Sequence, residues 1–248
     1  MQLHLSAWPE IERYLTRSTG IIIPIGSTEQ HGPNGLIGTD VICPEAIAKE
    51  AGAKDDILVG PAFNVGCAQH HLGFPGTMTL RPSTMIAAIY DWVMSLARHG
   101  FTQFYFLNGH GGNTATVNAA FSEIYAKRSL SAGSNEPALR CVLRNWWEFR
   151  EILDLCRQLY PEGHGSHATP SEVALTYFVH PEAIKQVTMA PKIAPSGPIL
   201  DAEDYRRRFP DGRIGSDPSL AKPEDGARLL DVAVQCVRKD YASFLAAA

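Results

Sequence analysis

Several features are missing from this 248-residue chain, and each absence removes a class of protein. No apolar run approaches the ~20 residues that a membrane-spanning helix needs. The opening stretch, MQLHLSAWPEIERYL, carries charge where a secretory signal would hold its apolar segment. A cytoplasmic location is therefore the expectation, with no membrane partner. The five cysteines (Cys43, Cys67, Cys141, Cys156, Cys236) are odd in number and never spaced CxxC. That argues against a disulfide framework or a cysteine zinc site and leaves core thiols. Basic residues form no block: the net charge is −4 and the densest cluster is YRRRF at 205–209, so no nucleic-acid partner is expected. Nor is there a G-x-S-x-G nucleophile elbow, an internal repeat or a clear linker. One domain over residues 1–248 is the reading.

What is present is a globular composition, 45% hydrophobic and 19% charged, laid out as strand-like runs alternating with helix-like ones. GIIIPIG, DILVGPAFNVG, FTQFYFL and ALRCVLRNWW read as strands. VICPEAIAKEAG, STMIAAIYDWVMSLARHG, TATVNAAFSEIYAKR, PSEVALTYFV and EDGARLLDVAVQCVRKDYASFL read as helices. In the clearest helix Met85, Ile89, Trp92, Val93 and Leu96 recur at helical spacing, with Ser83 to cap its start and Gly100 to close its end. Residues 190–225, rich in Pro, Gly and charge, read as a long surface excursion. Alternation of this kind predicts an α/β fold, a mostly parallel sheet covered on both faces. Ligands in such folds sit outside the carboxyl ends of the strands.

Two unusual loops leave that edge. After IIIPI comes GSTEQHGPNGLIGTD, in which Glu29 and His31 are alternate residues whose side chains point the same way in extended backbone. Asp40 returns after a loop flexible enough to bring it back. After FYFL comes NGHGGN, which offers His110 among glycines that let backbone approach a ligand. A third patch, GHGSHATPSE, holds His164, His167 and Glu172, and a fourth, CAQHHLGFPGT, holds His70 and His71, of which at most one is expected to face the site. Each residue has an ordinary explanation when taken singly. A loop Glu is solvated, Asp40 stands where an N-cap would sit, and Glu172 suits a helix dipole. Together at adjacent strand ends they favour a metal site. Mixed carboxylates and imidazoles suit Zn, Mn or Fe better than Ca or Mg.

In order along the chain, GSTEQHGPNGLIGTD, HHLGFPGT, NGHGGN, HATPSE and GSDPSLAKPEDG resemble the motifs of the creatininase (creatinine amidohydrolase) family, over about residues 20–235. The resemblance implies a three-layer α/β/α sandwich with two divalent metals per chain. Carried over by position, Glu29, Asp40 and His110 would hold one ion, and His31, Asp40 and Glu172 the other, with Asp40 bridging. His167 matches the catalytic histidine. A homo-oligomer, a hexamer, is also implied. Three positions depart from the pattern. Gly112 stands where creatinine-hydrolysing members carry a metal-binding carboxylate, Asn34 where many members have another histidine, and Thr169 where a glycine usually follows His-Ala. These place the chain nearer the NGHGGN branch than the creatinine-hydrolysing members.

The chemistry implied is metal-dependent amidohydrolysis of a C–N bond in a small molecule, a cyclic amide or formamide. A metal-bound hydroxide, formed as the water pKa falls toward ~7, would attack the carbonyl. His167 would deliver a proton to the departing nitrogen, and Glu172 would ligate metal or accept the water proton. His71, Gly111, Gly112, Asn113 and Trp147 are the substrate-binding candidates, with Trp146 or Trp147 a wall for a flat substrate. Serine catalysis through Ser27, Ser166 or Ser171 would leave Glu29, His31 and His110 without a role. A second class remains open: NGHGGN between a strand and a helix could cradle a phosphate without turnover. Peptide or lactone-like substrates are open as well.

Overall fold

The computed structural model describes residues 1–131 and 138–247. Three strands form one parallel sheet in the order β1 (Gly20–Ile25), β2 (Gln103–Asn108), β3 (Arg140–Asn145). Their register pairs Ile25 with Asn108 and Asn108 with Asn145, so the carboxyl ends finish flush. Strand alternation sorts the side chains into two cores. Ile21, Ile23, Ile25, Phe104 and Phe106 face α1 (Trp8–Leu15), α3 (Pro82–Ala97) and α4 (Thr114–Leu130). Ile22, Tyr105 and Leu107 face α2 (Thr39–Asp55), α5 (Arg150–Leu159), α6 (Pro170–Val179) and α8 (Pro223–Ala246). The result is the expected three-layer α/β/α sandwich. No helix among the described residues is long and apolar enough to cross a membrane.

The structure differs from the sequence reading in several places. DILVGPAFNVG forms no ladder strand. It touches β1 only through bridges at Val59 and Phe63, because Pro61 lacks the N–H a ladder needs. The start of α3 is set by Pro82 in its first turn and Arg81 as the preceding extended residue, with no side-chain cap from Ser83. Gly100, at φ +106, does close that end. Residues 190–225 are more than a surface excursion. They contain α7 (Ala202–Arg208) and bury Tyr205, Phe209, Arg213 and Ile214. The short helices α1 and α5 were not anticipated.

Candidate metal centre

The flush strand ends explain why the site lies where it does. Gly26 leaves β1 and Gly109 leaves β2, and both close on the backbone of Asp40. A Cβ at Gly26 would meet the Asp40 carbonyl oxygen at 2.2 Å, and one at Gly109 would meet it at 1.9 Å. Without those side chains the first turn of α2 settles onto the sheet edge and carries Asp40 between the two loops. Gly38, not Asp40, occupies the cap position. The buried Asp40 carboxylate divides its oxygens: Oδ1 lies 2.9 Å from His31 Nε2 and Oδ2 lies 2.9 Å from His110 Nδ1. Glu29, fully buried, places Oε1 3.1 Å from His71 Nε2, 3.2 Å from His110 Nδ1 and 4.0 Å from His167 Nδ1.

Hydrogen-bond accounting shows what these groups need. His110 Nε2 donates to the Cys67 carbonyl at 3.0 Å and His31 Nδ1 donates to the Glu29 carbonyl at 3.1 Å. In the neutral rings the inner nitrogens therefore carry lone pairs, and these face carboxylate oxygens. Both Glu29 oxygens and Asp40 Oδ2 are buried without a hydrogen bond, despite the short distances around them. Such a gathering of electron-rich atoms requires positive charge.

Protons are one source of that charge. Burial pushes His31 down, but Asp40 outweighs it with help from Glu172 and Glu29 and raises the ring to about 10. Burial also opposes charge on His110, yet Glu29 and Asp40 lift it well above the ordinary range. Glu29 is pushed up by burial and pulled further down by His110 and His71, ending well below its usual value. Divalent ions are the other source. An imidazole whose outer N–H is held by a backbone carbonyl is the usual arrangement of a metal-ligating histidine.

Three triads present ligand atoms within 4.8 Å of one another: Glu29–Asp40–His110, His31–Asp40–Glu172 and Glu29–His31–His167. Asp40 belongs to two of them. Glu172 also caps α6. Its Oε1 accepts from the Thr169 amide at 2.5 Å, and the Thr169 side chain accepts from the Glu172 amide. Burial pushes the Glu172 carboxyl up, His31 pulls it down and Asp40 pushes it up again, to about 7. Thr169 thus takes over the turn as an N-cap, and the left-handed residue is Ala168, at φ +52. The residues present fit divalent ions in number, chemistry and burial.

A cavity of about 450 Å³ opens beside the centre, with Asp40, His110 and Glu172 on its floor and Trp146 and Trp147 among its walls. Among the described residues its lining holds no lysine or arginine. Of the substrate-binding candidates, Gly111 and Trp147 lie in its lining and the other three do not. Asn113 is fully buried, with its amide committed to Gly26, Asn108 and Cys67, so it ties loops together. His71 is buried behind Glu29. Gly112 is packed from behind: a Cβ there would lie 2.4 Å from His110 Nε2 and 2.6 Å from the Cys67 carbonyl. Any side chain at that position requires His110 to move. The short helical turn Gln69–His71 brings both histidine rings to the site side, where strand geometry would separate them. The His70 ring lies 6.1 Å from His110 and 4.2 Å from His71.

His164, named in the third patch, shares a hydrogen bond with Ser171 Oγ at 2.8 Å on the cavity wall. Two residues have no place in the sequence reading of the site. Tyr205, from α7, packs its buried ring 4.6 Å from His71. Gln30 reaches both His71 and His167.

Comparisons with known proteins agree with this geometry. The sequence profile described as Creatininase: Creatinine amidohydrolase matches residues 4–239. A creatinine amidohydrolase from Pseudomonas putida is 27% identical over 241 residues, spanning 92% of this chain and 91% of the relative. A mycofactocin precursor peptide peptidase from Mycolicibacterium smegmatis is 33% identical over 106 residues, 40% of this chain and 42% of its own. A solved structure described as Creatininase Mn superposes with a TM-score of 0.84 at 25% identity, covering 98% of each chain. A mutant creatininase described as Zn-Zn type gives the same TM-score, identity and coverage. The chain belongs to the creatininase family.

Proposed function

We propose that this chain is a divalent-metal-dependent amidohydrolase that cleaves a C–N bond in a small, uncharged cyclic amide or formamide. The observation that carries this is the division of Asp40, one oxygen facing His31 and the other facing His110, with orphaned carboxylate oxygens around it. Glu29, Asp40 and His110 would hold one ion, and His31, Asp40 and Glu172 the other. Packing behind Gly112 supports Glu172 as the second carboxylate, since position 112 of the NGHGGN loop offers no side chain. When bound, the ions supply an acidified water, with pKa toward ~7, and polarise the substrate carbonyl. Zn, Mn and Fe all suit these ligands.

The chain's own groups complete the chemistry. Burial, reinforced by His71 and His31, holds His167 well below the usual imidazole range, so it starts as a neutral proton acceptor. Its Nδ1 faces the Glu29 side of the site. It takes a proton before giving one to the departing nitrogen. Trp146 and Trp147, edge to face at 6.5 Å, give the cavity an apolar wall. Among the described residues the lining holds no lysine or arginine to grip a phosphate, which weighs against the phosphate-cradle reading. A homo-oligomer is part of the proposal, measurable by light scattering.

The test is metal content by plasma mass spectrometry for wild type and Asp40→Asn, purified without chelator. About two equivalents per chain are expected in wild type, with both reduced in the variant. A wild type that stays metal-free after incubation with Zn, Mn or Fe sinks the proposal. A loaded protein then goes to a panel of creatinine, formamides and short peptides, with EDTA abolishing whichever turnover appears.

A further inference from the structure

Gln30 stands between Glu29 and His31, buried, and neither ligand set uses it. We propose that its carboxamide is a positioning residue that fixes the tautomers of His71 and His167. The catalytic consequence rests on the hydrolase reading above; the tautomers themselves do not.

Donor and acceptor counting leaves one self-consistent solution. Gly32 N–H can only donate, and it lies 2.8 Å from Gln30 Oε1, which settles which end of the amide is oxygen. The nitrogen then has two hydrogens and several neighbours. One points to the side where the Gly212 carbonyl at 3.0 Å and the Tyr205 hydroxyl oxygen at 3.3 Å accept it. His71 Nδ1 at 2.8 Å and His167 Nε2 at 2.9 Å compete for the other. His167 Nε2 also lies 2.9 Å from the Gln30 backbone carbonyl, which can only accept. If His167 Nε2 took the amide hydrogen, it would face that carbonyl lone pair to lone pair and leave His71 Nδ1 without a donor. If His71 takes it, neither conflict arises. His71 then carries its proton on Nε2, the nitrogen that faces Glu29 Oε1 across 3.1 Å. His167 carries its proton on Nε2 and donates to the Gln30 carbonyl.

The result is that His71 turns an N–H, not a lone pair, toward Glu29, and His167 turns a bare Nδ1 toward the centre. The arrangement is locked from outside by Tyr205, whose hydroxyl donates to the same Gly212 carbonyl at 2.8 Å. Gly212 itself has no room for a side chain, since a Cβ would meet Gln30 Oε1 at 1.9 Å.

The tautomers are read directly from two-bond ¹H–¹⁵N correlations of histidine-labelled, metal-free protein, assigned through the His71→Asn and His167→Asn spectra. Wild type should show Nε2–H for both rings. Gln30→Glu replaces the donor with an acceptor, and His71 should then acquire a proton on Nδ1. A wild-type His71 protonated on Nδ1, or a Gln30→Glu spectrum with unchanged tautomers, overturns the proposal. Should Gln30→Glu fail to fold, the wild-type spectrum still decides. Zinc titration of Gln30→Met should show affinity weaker by about 10–100-fold, as expected for loss of an outer-shell partner. If wild type binds no zinc while its tautomers are as stated, the hydrolase reading fails and the assignment to Gln30 stands.

Discussion

The two halves of the site are built by different means. The sheet-edge half, with Glu29, His31, Asp40 and His110, hangs from strands that end in register and from glycines that let backbone pack on backbone. The strap half, residues 163–217, has little ladder to hold it. Its order comes from side chains bonded to main chain. The buried Arg213 guanidinium donates to the Pro191, Lys192 and Ser216 carbonyls and pairs with Asp211, and Ser216 Oγ donates to the His167 carbonyl. Ligand placement in the first half is therefore insensitive to most single side chains, whereas His167 depends on a few polar anchors. Substitutions should separate the two: metal retention belongs to the sheet edge together with Glu172 on α6, and turnover geometry to the rest of the strap.

The sharpest separation comes from His167→Ala. Metal content should stay at the wild-type level while turnover of the best substrate in the panel falls by about 10²–10⁴-fold, the range for a lost general acid–base. Loss of metal together with turnover would make His167 a ligand through the Glu29–His31–His167 triad and would break the comparison. Next is Arg213→Met. Removing a fully buried cation that satisfies three carbonyls should destabilise the fold by about 3 kcal/mol, read as a lower urea midpoint. Metal should still bind the surviving sheet edge. Chelation comes third. EDTA should lower the thermal midpoint of the loaded protein, by the equivalent of about 2.7 kcal/mol when the free metal had been 100-fold above its Kd. Asp40→Asn should show almost no further change with EDTA.

The same division decides what could be read in the sequence. Elements with clean periodicity were legible: β1, β2, α3, α4, α8 and above all PSEVALTYFV, which is α6 to the residue. So were the residues gathered at the sheet edge, because strand, loop and ligand are contiguous there. DILVGPAFNVG failed because one proline outweighs a good apolar run. In α5, Ile152, Leu155 and Cys156 had helical spacing, but the helix is short and follows directly on the Trp146–Glu148 turn. The strap defied reading because its buried Tyr205, Phe209, Arg213 and Ile214 follow no period, and a buried arginine looks like surface in a sequence. Gln30 is invisible to the alternation that marks Glu29 and His31. Alternation places it on the opposite side, and only the folded strap shows that this side is also part of the site.

The smallest expected effect tests the comparison at its finest. Two residues other than glycine sit in the left-handed region among the described residues: Asp56 at φ 51, after α2, and Ala168 at φ 52, beside His167. Such a conformation costs an L-residue roughly 1 kcal/mol, which glycine relieves at a comparable cost in unfolded-chain entropy. At Asp56 the site is exposed and the only loss is a surface pair with Arg17, so Asp56→Gly should raise stability by about 0.5 kcal/mol or less and leave turnover alone. At Ala168 the methyl is fully buried, so Ala168→Gly trades relief of strain for lost packing and should barely move the thermal midpoint. Its effect should appear in turnover, because the freed backbone is what aims His167. If Ala168→Gly left turnover unchanged, the strap would be held by Arg213 and Ser216 alone, and strain at Ala168 would have no part in placing the histidine.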